Sequence, residues 1–139
     1  MGCIYDLGIP VGGGTARMRA ECPHPDYTKT LNGALVANKG LSFVGKYRGM
    51  MTIVKQEVKG VRIEWFQDQG DCETKPANQW VKVYEFFDDG TKISGIQGAN
   101  KFPIRSLAHA KGTEQNTWRI DKTPGLKQKW IAIAELDLT

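Results

Sequence analysis

The chain has 139 residues, of which 40% are apolar and 24% are charged. This length and composition predict one soluble folded domain over residues 1–139 with its own core, and they exclude an intrinsically disordered chain. The net charge of +4 is spread along the sequence without a basic stripe, so a nucleic acid ranks last among the partners considered.

Glycine and proline divide the N-terminal part into short elements, since the chain holds 16 Gly and 6 Pro. Residues 1–14 end in three glycines and are expected to form a flexible segment. From Thr15 to Glu21, small or apolar residues alternate with charged ones, which predicts a half-buried strand. Its outward face would carry Arg17, Arg19 and Glu21.

A β-hairpin in the middle of the chain is the clearest structural prediction. Residues 48–58 and 61–67 have strand character and are separated by the compact turn Val58-Lys59-Gly60-Val61. In the second strand Val61, Ile63 and Trp65 share one face, while Arg62 and Glu64 share the other. A polar loop at 68–78 leads into a strand at 79–87, in which Trp80, Lys82 and Tyr84 are predicted to share a face.

Further strands are predicted at residues 31–39, 41–46, 92–96, 102–108, 116–120 and 128–138, with a tight turn at 88–91. The last strand is apolar on both faces, which is typical of a covered position. Eight to ten strands at this spacing predict an all-β fold, either an antiparallel, jelly-roll-like β-sandwich or a small closed β-barrel. An open sandwich would leave strand edges through which two copies could form a homodimer.

The cysteines and the N-terminus bear on the compartment. Cys3, Cys22 and Cys72 form no C-x-x-C pair, so no metal site is predicted from them, and nothing else predicts a cofactor. Reduced thiols are preferred to a Cys22–Cys72 disulfide with Cys3 left over. The odd cysteine count and the absence of a signal-peptide pattern favour the cytoplasm. No run of ~18 apolar residues is present, so no membrane partner is predicted.

Catalytic signatures are scarce. Glu64, Asp68, Asp71 and Glu73 lack the spacing of a calcium-binding EF-hand and are interpreted as part of a solvated loop. The sequence has no G-x-S-x-G nucleophile motif. His109, at the end of a predicted strand, is the residue considered as a general base.

The polar faces of the strands suggest a binding function. Aromatic rings can stack on the apolar side of a sugar while Arg and Glu hydrogen-bond its hydroxyl groups. Non-catalytic carbohydrate binding is therefore the preferred function, with Trp80 and Trp118 as the better candidates for exposed aromatic platforms. The plainer interpretation is a solvated sheet face with cross-strand ion pairs. The predicted ligand-binding residues are Arg17, Arg19, Arg62, Glu64, Trp80 and Tyr84.

Two other functions remain open. A small β-barrel could bind, or act on, an apolar or aromatic small molecule in an internal pocket, with the charged residues pointing inward. Alternatively, the chain is an enzyme acting on an acidic polysaccharide, in which arginine neutralises the uronate and His109 or a tyrosine is the base. The direction of the Arg62 and Glu64 side chains distinguishes a surface from an internal pocket.

Overall fold

Two antiparallel sheets make up the regular structure of the described residues. The computed structural model describes residues 4–21, 38–88 and 124–134. The strands are β1 (Ile4–Gly8), β2 (Arg17–Glu21), β3 (Gly49–Glu57), β4 (Gly60–Asp68) and β5 (Trp80–Asp88). β1 pairs with β2, and β4 lies between β3 and β5 in the second sheet. No helix occurs in these three ranges, so the all-β prediction is confirmed for them.

The described residues include no helix long and apolar enough to cross a membrane.

The predicted central hairpin is confirmed. β3 and β4 pair in antiparallel register from Gly49 opposite Asp68 to Glu57 opposite Gly60, so Val58 and Lys59 alone form the loop. The polar loop and the following strand are also confirmed, since β5 begins at Trp80 and pairs with β4. The strand predicted from Thr15 is observed from Arg17 onward.

Two N-terminal predictions differ from the structure. Residues 4–8, expected within a flexible segment, form β1, because their backbone pairs with β2 and places Tyr5 opposite Ala20. Residues 41–46, predicted as a strand, form a loop. A turn closes there through the hydrogen bond from Lys46 N to Phe43 O, and Gly45 takes a positive φ of 65°, which a strand does not accommodate.

The predicted C-terminal strand is wrong over its described part. Residues 128–134 contain no strand, and Trp130 has a φ of 57°, which interrupts an extended backbone. The strands predicted at 92–96, 102–108 and 116–120, the turn centred on 89–90 and nearly all of the strand at 31–39 lie outside the described residues.

One buried cluster joins residues near and in β2 to the three-stranded sheet. Ala16 and Met18 pack against inward-facing residues of β4 and β5, which are Val61, Ile63, Trp65, Val83, Tyr84 and Phe86. All of these side chains are buried, and burying one of the larger apolar ones contributes roughly 1.5–3 kcal/mol. The alternation predicted for β4 is therefore confirmed. Cys72 is also buried, while Cys3 and Cys22 lie outside the described residues, so the choice between reduced thiols and a Cys22–Cys72 disulfide stays a prediction.

The run of three glycines serves a close approach between two backbone segments. Gly14 and Gly40 exchange two hydrogen bonds of 2.8 Å each. Gly13 has a φ of +84°, and a Cβ atom there would lie 2.8 Å from the carbonyl oxygen of Gly40. A side chain at this position would therefore force the two segments apart, and this steric limit explains why position 13 is a glycine.

A buried glutamine joins the 38–48 loop to the central strand. The side chain of Gln67 is fully buried at the end of β4. Its Oε1 accepts a hydrogen bond of 2.7 Å from Leu41 N, and its Nε2 donates one of 3.0 Å to Leu41 O. The amide thus pairs with one residue of the loop much as a neighbouring strand would.

Replacing this amide with an apolar side chain is expected to destabilise the protein. Gln67→Leu leaves the N–H and C=O groups of Leu41 without these partners, at a cost of roughly 2–4 kcal/mol in the free energy of unfolding. Gln56→Leu, at an exposed position of β3, is the matched control and is expected to change stability by less than about 0.5 kcal/mol. Urea unfolding followed by circular dichroism checks both, and equal midpoints for the two variants would contradict the assigned role.

Candidate functional site

The outer sheet face is the surface of β3, β4 and β5 that points away from the core. A β-bulge shapes it, because the register places Tyr84 opposite Trp65 but Lys82 opposite Phe66, leaving Val83 as an extra residue in β5. Lys82 and Glu85 consequently lie on the same face although they are three residues apart. The outer sheet face includes Lys55, Glu57, Arg62, Glu64, Phe66, Trp80, Lys82, Glu85 and Phe87.

Like charges oppose each other directly at two positions of this face. Glu64 lies opposite Glu85, and Lys55 lies opposite Arg62. Such pairs repel when nothing lies between them. Here each charge instead contacts an opposite charge on the diagonal, which converts two repulsive pairs into a connected set of attractive ones.

The connected set is called the charge network and runs through six side chains in the order Glu57, Arg62, Glu85, Lys82, Glu64, Lys55. Arg62 Nε lies 2.6 Å from Glu57 Oε1, and a second nitrogen of its guanidinium contacts Glu85. Lys82 Nζ contacts Glu64 and lies 2.8 Å from Glu85 Oε2. Lys55 Nζ is 2.8 Å from Glu64 Oε2. Three cations therefore balance three anions.

The ion pairs shift the pKa values of their members. Hydrogen bonds from Lys55 and Lys82 lower the pKa of Glu64 despite the opposing effect of burial. The hydrogen bond from Lys82 likewise lowers the pKa of Glu85, and hydrogen bonds to Glu64 and Glu85 raise the pKa of Lys82. The side chain of Glu64 is only 9% exposed, so it is the most deeply placed charge of the network.

Aromatic rings lie beside the charges. The guanidinium carbon of Arg62 is 5.0 Å from the ring centre of Phe87, and Lys82 Nζ is 5.7 Å from that of Phe66. Both distances suit cation–π contacts. At the end of β5 Trp80 lies opposite Asp68 and stays 38% exposed. Gly49 makes room for its ring, because a Cβ there would lie 2.9 Å from Trp80 Cη2.

Of the predicted site residues, the structure places Arg62, Glu64 and Trp80 on one sheet surface. Tyr84 is fully buried on the core side, so the prediction that it shares a face with Trp80 and Lys82 is wrong. The reason is the bulge at Val83, which turns Tyr84 inward. Burial raises the pKa of its hydroxyl to about 12.

The remaining predicted residues are not brought to this face. Arg17 alternates with the buried Met18 and is exposed on the other sheet, and Arg19 lies opposite Asp6 in that same sheet. Trp118 and His109 lie outside the described residues. Whether any predicted site residue binds a ligand stays a prediction.

The sequence analysis missed Lys55 and Glu57 on the outer sheet face, which a register argument could have found. A two-residue loop at Val58 and Lys59 fixes Glu57 opposite Gly60, and hence Lys55 opposite Arg62. No comparable sequence pattern predicts the sheet face of Glu85 and Phe87, because the side to which they point depends on the bulge.

The prediction that the acidic cluster belongs to a solvated loop is wrong for Glu64 and Asp68, which are buried in β4, and Asp68 has a structural role. Asp68 is fully buried, and its carboxylate accepts hydrogen bonds from the backbone N–H groups of Gly70, Asn78 and Gln79 at 3.2, 2.8 and 2.9 Å. Burial raises the pKa of Asp68, but these donors and the Cys72 thiol outweigh it and lower the pKa overall. Among the described residues no group of three His, Cys, Asp or Glu side chains could hold a metal ion.

No protein-family model, no curated protein and no solved structure matches this chain.

The charge network is expected to stabilise the fold in a pH-dependent way. The folded-state pKa of Glu64 lies below its unfolded value of about 4.3, so its contribution is complete above that pH and is lost as the pH falls through the folded-state pKa. Glu64→Gln is expected to lower the free energy of unfolding by roughly 1–2 kcal/mol at pH 7, since Lys55 and Lys82 lose a charged partner. Denaturant unfolding at several pH values from about 3 to about 7 measures the free energy of unfolding on both sides of the ordinary glutamate pKa.

The matched control is Glu73→Gln, which changes an exposed glutamate in the 69–79 loop and is expected to have little effect at any pH. A Glu64→Gln deficit that is the same at low and neutral pH would contradict the ionic origin of the stabilisation.

Proposed function

We propose that the protein is a non-catalytic carbohydrate-binding domain whose ligand lies on the outer sheet face. One observation carries the proposal: a connected charge network and partly buried aromatic rings lie side by side on the same sheet surface. Trp80 extends this surface at the end of β5. Sugars need both partners, because a pyranose ring has an apolar side and a rim of hydroxyl groups.

The network suits hydroxyl groups in particular. A carboxylate held by one or two cations keeps further acceptor sites, and a lysine ammonium keeps further donors. Lys82 and Glu64 already fix each other in place, so a sugar that binds them orders few additional side chains. A preordered surface therefore loses less conformational entropy on binding than a set of free lysines and glutamates would.

The charge balance selects among sugars. Three cations and three anions cancel within the network, so a uronate gains no excess of positive charge there. A neutral oligosaccharide can add hydrogen bonds without separating an existing ion pair. The proposed ligand is therefore a neutral glycan, and this balance counts against the alternative of an enzyme acting on an acidic polysaccharide.

The finer architecture belongs to the same proposal. We propose a β-sandwich, with the β1–β2 sheet packed on the inner face of β3, β4 and β5 through Met18. The internal-pocket alternative requires Arg62 and Glu64 to point inward, whereas both alternate with the buried Ile63 and point the other way. Large side chains occupy the interior between the described strands, which favours surface binding.

Truncating the exposed tryptophan on the outer sheet face is expected to weaken sugar binding. Trp80→Ala removes a stacking platform, and we expect roughly a tenfold or greater rise in Kd for the neutral oligosaccharide that binds. Calorimetric titration with linear glucose, xylose and mannose oligosaccharides and an oligouronate checks this. Trp130→Ala, which truncates an exposed tryptophan that lies in none of the strands β3, β4 and β5, is the matched control and is expected to keep wild-type affinity.

A second variant separates binding from stability. Arg62→Ala is expected to lower sugar affinity with little change in the unfolding midpoint, because its ion pairs are about one-third exposed. A large loss of stability with unchanged affinity would identify Arg62 as a structural ion-pair partner. Failure of the wild-type chain to bind any of these sugars would overturn the proposed function.

A further inference from the structure

The indole of Trp80 reaches across the three-stranded sheet. Gly49, Asp68 and Trp80 lie side by side on β3, β4 and β5. Neighbouring strands are about 4.8 Å apart, so the backbones of Gly49 and Trp80 are separated by about 10 Å. A Cβ at Gly49 would nevertheless lie 2.9 Å from Trp80 Cη2 and 3.4 Å from Trp80 Cζ3. The long axis of the indole therefore runs along the sheet surface and across β4, and it does not project into solvent.

This placement gives the indole one covered side and one open side. Asp68, over which the ring crosses, is fully buried, whereas Trp80 keeps 38% of its surface exposed. The Asp68 carboxylate also fixes the backbone just before Trp80, because it accepts hydrogen bonds of 2.8 and 2.9 Å from Asn78 N and Gln79 N. Asp68 thus holds the base of the side chain, and the missing side chain of Gly49 leaves space for its far edge.

The aromatic and polar groups form a straight strip that begins at this ring. From Asp68 the outward-facing residues of β4 are Phe66, Glu64 and Arg62 in turn. Arg62 is six residues from Asp68 on β4, so at about 3.3 Å per residue the strip from Trp80 to Arg62 is about 20 Å long. A single sugar ring is too short to contact both ends.

We propose that the ligand is an extended chain of β-linked glucose or xylose units that lies along β4, with one pyranose ring stacked on Trp80. The inference rests on the proposed function and adds the linkage and the length of the glycan. Equatorial bonds at both ends of each ring keep such a chain straight and ribbon-like, with C–H groups on both flat sides. The hydroxyl groups point sideways from the ribbon, within reach of the charged side chains of the sheet. An α-linked chain of the same glucose units curves and leaves the surface after contacting one end of the strip.

Calorimetric titration of the wild-type chain with cellotetraose and maltotetraose tests the linkage. These sugars have the same composition and differ only in their β and α linkages. Cellotetraose is expected to bind at least about tenfold more tightly, because it alone contacts Trp80 and the charge network together. Cellobiose, which is too short for both contacts, is expected to bind more weakly than cellotetraose. Equal affinity for the two tetrasaccharides would overturn the inference and leave the proposed function standing, whereas binding of no sugar would overturn both.

Gly49→Ala tests how the aromatic platform is held. The added methyl group displaces the indole, and we expect the Kd for cellotetraose to rise roughly fivefold or more. Trp80→Phe keeps a ring but lacks the fused ring edge that reaches position 49, so adding Gly49→Ala to Trp80→Phe is expected to raise the Kd no further.

The matched control is Gly12→Ala, at an exposed glycine where a Cβ would meet no atom within 4 Å. It is expected to bind cellotetraose with wild-type affinity, and circular dichroism checks that every variant is folded. An equal rise in Kd from Gly49→Ala in the wild-type and Trp80→Phe backgrounds would show that the substitution acts by distorting the sheet, and it would overturn the role given to Gly49.

Discussion

The β-bulge at Val83 determines how the three-stranded sheet divides into a core side and a charged side. In a regular strand Lys82 and Glu85 would point in opposite directions, because side chains alternate with a period of two. The extra residue brings both onto the outer sheet face and lets Val83 and Tyr84 enter the core together. The charge network and the packing against Met18 therefore depend on the same local irregularity.

The central strand connects these two sides to the loops. β4 contributes Ile63 and Trp65 to the core and Glu64 to the charge network, and it ends in Gln67 and Asp68. Gln67 orders the 38–48 loop from the core side, and Asp68 orders the 69–79 loop with three backbone N–H groups. An unpaired carboxylate would not remain buried, so the loop and the strand end are stable only together.

The part of the fold that follows from local patterns could be predicted from the sequence. The β3–β4 hairpin needs only a turn and two alternating strands, and its register then places Arg62 and Glu64 on the outer side. The bulge in β5 could not be predicted in this way, because strict alternation assigns Trp80, Lys82 and Tyr84 to one face and Glu85 to the other, and only the extra residue changes the phase. Tyr84 was assigned to the wrong face for that reason. The segment at 128–134 shows the same limit, since β-branched residues favour a strand only where a neighbouring strand is present to pack against.

The saturation of the charge network also limits what the outer sheet face can bind well. A charged ligand would have to compete with a partner already in place, and the displaced side chain would lose a contact that includes the nearly buried carboxylate of Glu64. A neutral polar ligand meets no such penalty, because it uses the lone pairs and N–H groups that the ion pairs leave over. The ion pairs of the sheet are therefore compatible with the proposed sugar ligand.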